Sequence, residues 1–428
     1  MKKRQVIIVG GGPGGAATAL YLIKAGIKPL IIERQNFPRF HIGESLSGEC
    51  GNCLRNLDLE GEVAAQKYPV KYGVHVFNPH GNGFWVEVKR RCPETNALLP
   101  NSTWSVKRST FDKILLDAAL SRGAEYMQCD AVAPIRENGA VKGLQIRTPS
   151  GTLENLYCEV LVDCSGQGTF LANRGVTGPK IKGGYNNQIA VFSQIEGMIV
   201  DQGSEPHQGP GNTLIFYKER DHWAWTIPIA DNLTSIGVVA PASYFKKQGL
   251  GKEDYLRKEI TELNPELTRR ITKTHFLEEV RSITSYSYST TDYAGKGFIC
   301  VGDSHVFTDP IFSFGVFLAV KEGEMAAEAI VKYLAGRNGS TSNPFTEYIK
   351  VSTEGQDTIR DVIDTFWEYP LVFTRMAAGP AKDDINDLFA GRVYGEIMWK
   401  NQSRAAMRRL MSKRASPTEL HQLERALA

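Results

Sequence analysis

The sequence predicts an α/β fold: a Rossmann-like nucleotide-binding body, an antiparallel β lobe interleaved with it, and a helical C-terminal region. Three observations carry this. Residues 5–9 (Gln5-Val6-Ile7-Ile8-Val9) read as a buried strand. A glycine-rich turn follows, then a helix over Ala16–Ala25 and a second buried strand over Lys28–Glu33, which together make a βαβ unit. From 180 to 242 polar and apolar residues alternate with the period of two expected of antiparallel strands, and from about 315 onward the periodicity is helical.

The elements between follow in order. Residues 45–66 read as helical, and 70–90 and 100–107 alternate as strands. Ser109–Arg122 is an amphipathic helix with Phe111, Ile114, Leu115, Ala118 and Ala119 at helical spacing, and a Ser/Thr cap is expected at its start. Strand-like segments run from about 125 to 166. Residues 296–301 (Lys296-Gly297-Phe298-Ile299-Cys300-Val301) form another buried strand that ends at Gly302-Asp303. The expected division is a discontinuous body (1–178 and 280–340, with parts of 67–107 contributing to the lobe), a β lobe (179–279) and a helical C-terminal region (341–428) capping the substrate pocket with apolar residues such as Phe366, Leu371, Phe373 and Phe389.

Composition narrows the class. Of 428 residues, 42% are hydrophobic and 23% charged, ordinary for a globular chain with a sizeable core. A net charge of +3 gives no reason to expect nucleic acid as a partner. No apolar run reaches the roughly 18–20 residues of a membrane span. Lys2, Lys3 and Arg4 before an apolar stretch mimic a secretory signal, but glycines from Gly10 to Gly15 interrupt the stretch. Seven scattered cysteines argue against a disulfide framework and for the cytoplasm. Cys50 and Cys53 form C-x-x-C without a second ligand pair, so they read as two thiols on a helix and no metal is expected.

Gly10, Gly12 and Gly15 form G-x-G-x-x-G between the first strand and its helix. The first glycine permits the tight turn, the second lets backbone approach a pyrophosphate, and the third allows close helix–strand packing. The helix start offers free N–H groups to phosphates. Glu33 closes the next strand, 18 residues after Gly15, where its carboxylate can hold ribose hydroxyls. Glu33 followed by Arg34, with no basic residue in place of the glutamate, favours FAD or NAD over NADP. Two segments then resemble FAD-holding elements: Gly302-Asp303 that of two-dinucleotide-domain flavoproteins, and Arg108 with Phe111 and Asp112 that of the aromatic-hydroxylase superfamily.

The run Phe37-Pro38-Arg39-Phe40-His41-Ile42-Gly43-Glu44-Ser45-Leu46 resembles the His-x-Gly-Glu-Ser segment of flavin-dependent halogenases. Trp223-Ala224-Trp225-Thr226-Ile227-Pro228 resembles their W-x-W-x-I-P. Phe307-Thr308-Asp309-Pro310-Ile311-Phe312-Ser313-Phe314-Gly315 resembles their F-x-x-P-x-x-S-x-G. Lys71, in Pro69-Val70-Lys71-Tyr72-Gly73, stands where the family has its catalytic lysine, with Lys67 as the alternative. The similarity continues through Asp163-Cys164-Ser165-Gly166, the Tyr286-Ser287-Tyr288 segment and the C-terminal helices, so it covers nearly the whole chain.

The resemblance implies an aromatic-hydroxylase/glutathione-reductase-like fold and an oxidoreductase that uses FAD as FADH2. In such enzymes reduced flavin and oxygen convert chloride or bromide into hypohalous acid. It further implies a halide and active-site loop at Pro310, Ser313, Phe314 and Gly315, and a partition between flavin and substrate made by Trp223, Trp225 and Pro228. Lys71 and Ser313 would be the catalytic pair. Lys71 would hydrogen-bond the oxidant as an ammonium or capture the halogen as an amine, and both need burial, which lowers a lysine pKa. Phe312 occupies the place where tryptophan halogenases carry a glutamate, so the implied substrate is a small electron-rich aromatic, a pyrrole or phenol, possible also on a carrier protein. A separate NAD(P)H flavin reductase is expected, because there is one dinucleotide fingerprint. The basic run Lys400, Arg404, Arg408, Arg409, Lys413 and Arg414 reads either as a solvated helix face or as a dock for an acidic carrier. A hydroxylating monooxygenase, a geranylgeranyl-reductase-like flavoprotein and a catalytically silent FAD-binding protein remain as alternatives.

Overall fold

A computed structural model describes residues 3–284, 286–336 and 342–413. Its nucleotide-binding body is built on parallel strands. Arg4–Val9 lies between Leu30–Glu33 and the long strand Leu153–Asp163, and the layer is extended by Glu125–Gln128 on one side and Phe298–Cys300 on the other. Val6, Ile7, Ile8, Ile31 and Val162 are fully enclosed, as expected of a sheet covered on both faces. The helix Pro13–Lys24 packs against Gly315–Leu334 and against Arg108–Ser121. The N-terminal half of Leu153–Asp163 leaves this layer to pair antiparallel with Ala140–Arg147, which pairs with Asp130–Glu137.

The lobe is an antiparallel sheet of Gln188–Met198, Thr213–Glu219, His222–Ala230 and Leu233–Pro241. Gly73–Phe77 joins it alongside Thr213–Glu219, and Gly83–Glu87 follows at the edge. Period-two alternation splits its residues between two cores. Trp223, Trp225 and Ile227 face the body, whereas Ala224, Leu214, Phe216, Ile236 and Val238 pack on Tyr255, Leu256 and Ile260.

Three details differ from the sequence reading. The lobe carries helices at Ala242–Gln248, Lys252–Glu262 and Pro265–Arg270, which cover its outer face. Arg281–Thr284 still pairs with Gln188–Met198, so the return to the body comes after residue 280. The helix expected from Ser109 starts at Arg108 with Lys107 as N-cap and no side-chain cap. Thr110 Oγ1 donates back to the Lys107 carbonyl instead.

Candidate active site

The strands of the body end at one edge, and their carboxyl ends create the site. Gly10 N–H donates to Ile32 O, Cys164 N–H to Val9 O and Val301 N–H to Asp163 O, which aligns the three strand-to-loop turns. Gly10 has φ +105°, and a Cβ there would lie 2.3 Å from Cys164 O. Gly15 presses so closely on the first strand that a Cβ would lie 1.9 Å from Gly10 O. The helix at Pro13 begins without a side-chain cap, so its first N–H groups are free. Glu33 lies at the bottom of this turn, with Oε2 accepting from Gly11 N–H (2.8 Å) and Oε1 from Gln35 N–H (2.7 Å).

A cavity of about 730 Å³ opens over this edge and runs to the lobe. Its wall includes Gly10, Gly12, Glu33, Arg34, Arg108 and Asp303 on the body side, Trp223, Trp225 and Ile227 on the lobe side, and Pro310, Ser313 and Gly315 from the loop. Arg108 is buried and fixed on both sides. It forms a two-pronged pair with Asp112 (2.6 and 2.9 Å), and its Nη1 donates to Ile42 O (2.6 Å), tying the Phe37–Leu46 segment over the helix. Burial pushes the Asp303 carboxyl up to about 7, against the pull of Arg108. Arg39 Nε, Glu44 Oε1 and Trp223 Nε1 are buried without hydrogen-bond partners. A site with a glycine cradle, a carboxylate at the end of the second strand, an uncapped helix start and unsatisfied polar atoms fits a flavin dinucleotide.

Lys71 is 3% exposed. Its Nζ donates to Ser45 Oγ (2.7 Å) and to Leu46 O (2.9 Å), and burial lowers its pKa from 10.5 to about 7, with the nearby Cys50 opposing. Ser45 lines the cavity and Lys71 does not, so the amine stands directly behind the serine hydroxyl. Lys67 has φ +54° on the turn before this strand and is exposed. Trp223 and Trp225 lie 5.8 Å apart between centroids, and Trp225 Nε1 donates to Ser235 Oγ (3.2 Å), which donates to Glu44 Oε2 (3.1 Å). Burial pushes the Glu44 carboxyl up to about 7, against the hydrogen bond from Ser235.

Not every residue of the quoted motifs reaches the cavity. Pro228 points to the opposite face of its strand, into a small separate pocket with Met198 and Asp201, because period-two alternation sends even positions away from the Trp223–Trp225 side. Phe314 faces Phe389 instead. Gly15 packs beneath the turn. Ser313 lines the cavity in a left-handed conformation (φ 59°), and among the described residues no hydrogen bond joins it to Lys71. Phe312 is buried against Phe389 (4.6 Å between centroids), Phe366 (5.2 Å) and Phe373 (6.0 Å) from the C-terminal helices. Leu371, by contrast, is 74% exposed and faces solvent.

The expected basic face is smaller than the sequence suggests. Arg404 is buried and pairs with Asp361 (3.2 Å), which also lies 3.8 Å from Arg408. Lys400 pairs with Glu396, and Arg414 lies outside the described residues. Cys50 and Cys53 are buried free thiols on Gly48–Asn56, and among the described residues no cluster of metal-ligating side chains is found. No described helix is long and apolar enough to cross a membrane.

Two residues that sequence reasoning gave no role stand out. Ser45 and Glu44 were visible only as letters of a motif, and their contacts to Thr213 (2.7 Å) and Ser235 come from strands nearly 170 and 190 positions away.

Comparison with known proteins agrees with this geometry. Residues 3–342 match the FAD binding domain family. A 1H-pyrrole-2-carbonyl-[peptidyl-carrier protein] brominase from Pseudoalteromonas luteoviolacea is 36% identical over 401 residues, covering 93% of this chain and 94% of that protein. A 1H-pyrrole-2-carbonyl-[peptidyl-carrier protein] chlorinase from Pseudomonas fluorescens is 26% identical over 91% of this chain and 89% of its own. The solved structure of the flavin-dependent brominase Bmp2 superposes with a TM-score of 0.88 at 34% identity, covering 96% of this chain and 99% of that one. With a dinucleotide cradle, a buried amine behind its wall and these relatives along nearly its full length, the chain belongs to the FAD binding domain family and, within it, to the flavin-dependent halogenases.

Proposed function

We propose that this halogenase acts on a pyrrole-2-carbonyl group carried by a peptidyl carrier protein, in the cytoplasm, with FADH2 supplied by a separate NAD(P)H flavin reductase. The observation that carries the substrate reading is Phe312. The position beside Ser313 holds no carboxylate but an aromatic ring packed among Phe366, Phe373 and Phe389. A pyrrole can release its own N–H proton and does not depend on a carboxylate there. The two pyrrole-carrier relatives support the same substrate class. All seven cysteines are free, which suits a reducing compartment.

Bound reduced flavin, with oxygen and chloride or bromide, supplies hypohalous acid. The chain does the rest. Gly10, Gly12, Glu33, Arg34, Arg108 and Asp303 hold the cofactor, and Gly315 lets the loop pass close to it. The uncapped start of Gly315–Leu334, preceded by Pro310, Ser313 and Phe314, offers backbone N–H groups to a halide without a fixed positive charge. Trp223 and Trp225 keep the substrate away from the flavin, which favours halogenation over hydroxylation. Lys71 activates the oxidant as an ammonium in a site from which water is excluded.

The test supplies reduced FAD, oxygen and bromide with pyrrole-2-carbonyl carrier protein, free pyrrole-2-carboxylate or a phenol, and follows products by mass spectrometry. Bromination fastest on the carrier and absent in Lys71→Ala supports the reading. Oxygenated product independent of bromide overturns it, and equal rates on free and carried pyrrole remove the carrier. Charge reversal at the exposed Arg408 and Arg409 tests the basic face as the carrier dock.

A further inference from the structure

We propose that the Ser45 hydroxyl is the proton relay between the buried Lys71 amine and the reaction cavity. The proposal rests on the role given above to Lys71.

The hydrogen-bond directions around Ser45 carry the inference. Ser45 Oγ accepts from Lys71 Nζ (2.7 Å) and from Thr213 Oγ1 (2.7 Å). A hydroxyl has two lone pairs and one proton. With both lone pairs engaged, the proton is left to donate, and Ser45 lines the cavity while Lys71 stands behind it. Ser45 and Thr213 are each 1% exposed, so their hydroxyls are held by protein partners at the cavity wall.

The surrounding backbone holds this arrangement from both sides. Leu46 N–H donates to Trp104 O, Val106 N–H to Glu44 O, and Ser45 bridges Ser105 across the strands. Ser105 Oγ donates to Gly211 O (3.0 Å), and Asn212 Oδ1 accepts from Tyr72 N–H (2.9 Å) and Gly73 N–H (3.1 Å). The residues that follow Lys71 and those that precede Thr213 are therefore pinned together, which fixes the relay before any substrate arrives. Cys50, from Gly48–Asn56, is the titratable group that acts on Lys71, and Glu44, the residue before Ser45, lines the cavity.

The ring carbon forms a bond to halogen while the O–X bond of hypohalous acid breaks. The departing oxygen takes the Ser45 proton and leaves as water. Ser45 Oγ is reprotonated by the Lys71 ammonium, and the neutral amine regains a proton through the same hydroxyl when the ring carbon loses its hydrogen. The sum is ArH + HOX → ArX + H2O, with the ring oxidised by two electrons and the halogen reduced by two.

The test compares Ser45→Ala, Ser45→Cys and Ser45→Thr with the parent enzyme. The first readout needs no turnover: exchange of the Lys71 Nζ protons with solvent, followed by nitrogen-15 NMR of lysine-labelled, flavin-free protein at pH 6. Exchange at least tenfold slower in Ser45→Ala and restored in Ser45→Thr is expected. The second is the ratio of brominated ring to hypobromous acid escaping into solution, which should fall about 100-fold without the hydroxyl and recover in Ser45→Thr. If Ser45→Ala does not fold, Ser45→Cys, close in size but a weak donor, gives the same comparison. Unchanged exchange, or a product ratio within threefold of the parent, overturns the relay. Should Lys71→Met itself leave ring bromination intact, the lysine reading falls whatever Ser45 does. If Lys71→Met abolishes it and Ser45→Ala does not, the relay alone falls.

Discussion

Replacing Lys71 by methionine should make the protein more stable at pH 6 and less stable at pH 10. The amine is 3% exposed, and burial takes its pKa from 10.5 to about 7. At about 1.4 kcal/mol per pH unit, keeping the ammonium inside at low pH costs about 5 kcal/mol relative to the unfolded chain. The sign follows from proton counting. Between about pH 7 and 10.5 the unfolded chain binds the lysine proton and the folded one does not, so stability rises with pH across that window, and below pH 7 the full cost is present. Methionine removes the charge and fills most of the volume, but it also removes the donors to Ser45 Oγ and Leu46 O, a loss of about 1–3 kcal/mol. The net is a gain of about 2–4 kcal/mol at pH 6, a crossing at about pH 9 and a loss of up to about 2 kcal/mol at pH 10, where about 1 kcal/mol of the ammonium cost persists. Urea midpoints of flavin-free parent and Lys71→Met from pH 6 to 10, read by tryptophan fluorescence, measure it. A variant less stable than the parent at pH 6, or a difference that does not change with pH, would refute the argument. The same variant should be inactive, a trade of function for stability expected where a charge is buried for chemistry.

Other outcomes follow from the same geometry. If Lys71 works as an ammonium, the ring-halogenation rate should fall as pH rises through about 7, and a rate that climbs over that range would point to the neutral amine. Gly10→Ala should abolish flavin binding in a fluorescence titration, since its Cβ would press to 2.3 Å from Cys164 O at a φ of +105°. Glu322 is fully buried and accepts from His305 Nε2 (2.9 Å), Gly302 N–H (2.6 Å) and Ser352 Oγ (2.6 Å). Its carboxyl is held below the usual range by those partners despite burial. Glu322→Gln should cost about 3 kcal/mol in thermal or chemical denaturation and weaken flavin binding through the Gly302–Asp303 turn.

What could be read from the sequence was what is local or periodic. The turn from Gly10 to Gly15 and its distance to Glu33 are neighbours in the chain, so spacing alone placed them. The alternation of Trp223, Trp225 and Ile227 correctly marks one face, and the same rule, applied to Pro228, would have put that residue on the other. Contacts between distant segments stayed hidden. Arg404 looked like part of a solvated or docking face because Asp361, its partner, belongs to a helix some forty residues earlier. Ser45 looked like one letter of a motif because Thr213 comes from another strand. The helices between 242 and 270 were missed where short amphipathic segments sit among strands, and their apolar residues are matched to a sheet face rather than to each other.

The parallel sheet of the body sets the order in which this protein can come into being. Its interior strand Leu153–Asp163 is flanked by the first strand of the chain and by Phe298–Cys300, and the helix Gly315–Leu334 closes over the turn of the first. On a ribosome adding about 5–20 residues per second, Cys300 follows Glu33 by roughly fifteen to fifty seconds. Through that interval the nascent chain has an open edge along Leu161–Asp163 and lacks the part of the cavity wall that runs from Val301 to Ala319, so the cavity is completed only after those residues are made. A chain released before residue 300 would carry an unpaired, apolar strand edge and an incomplete cavity wall, and such fragments should aggregate instead of accumulating.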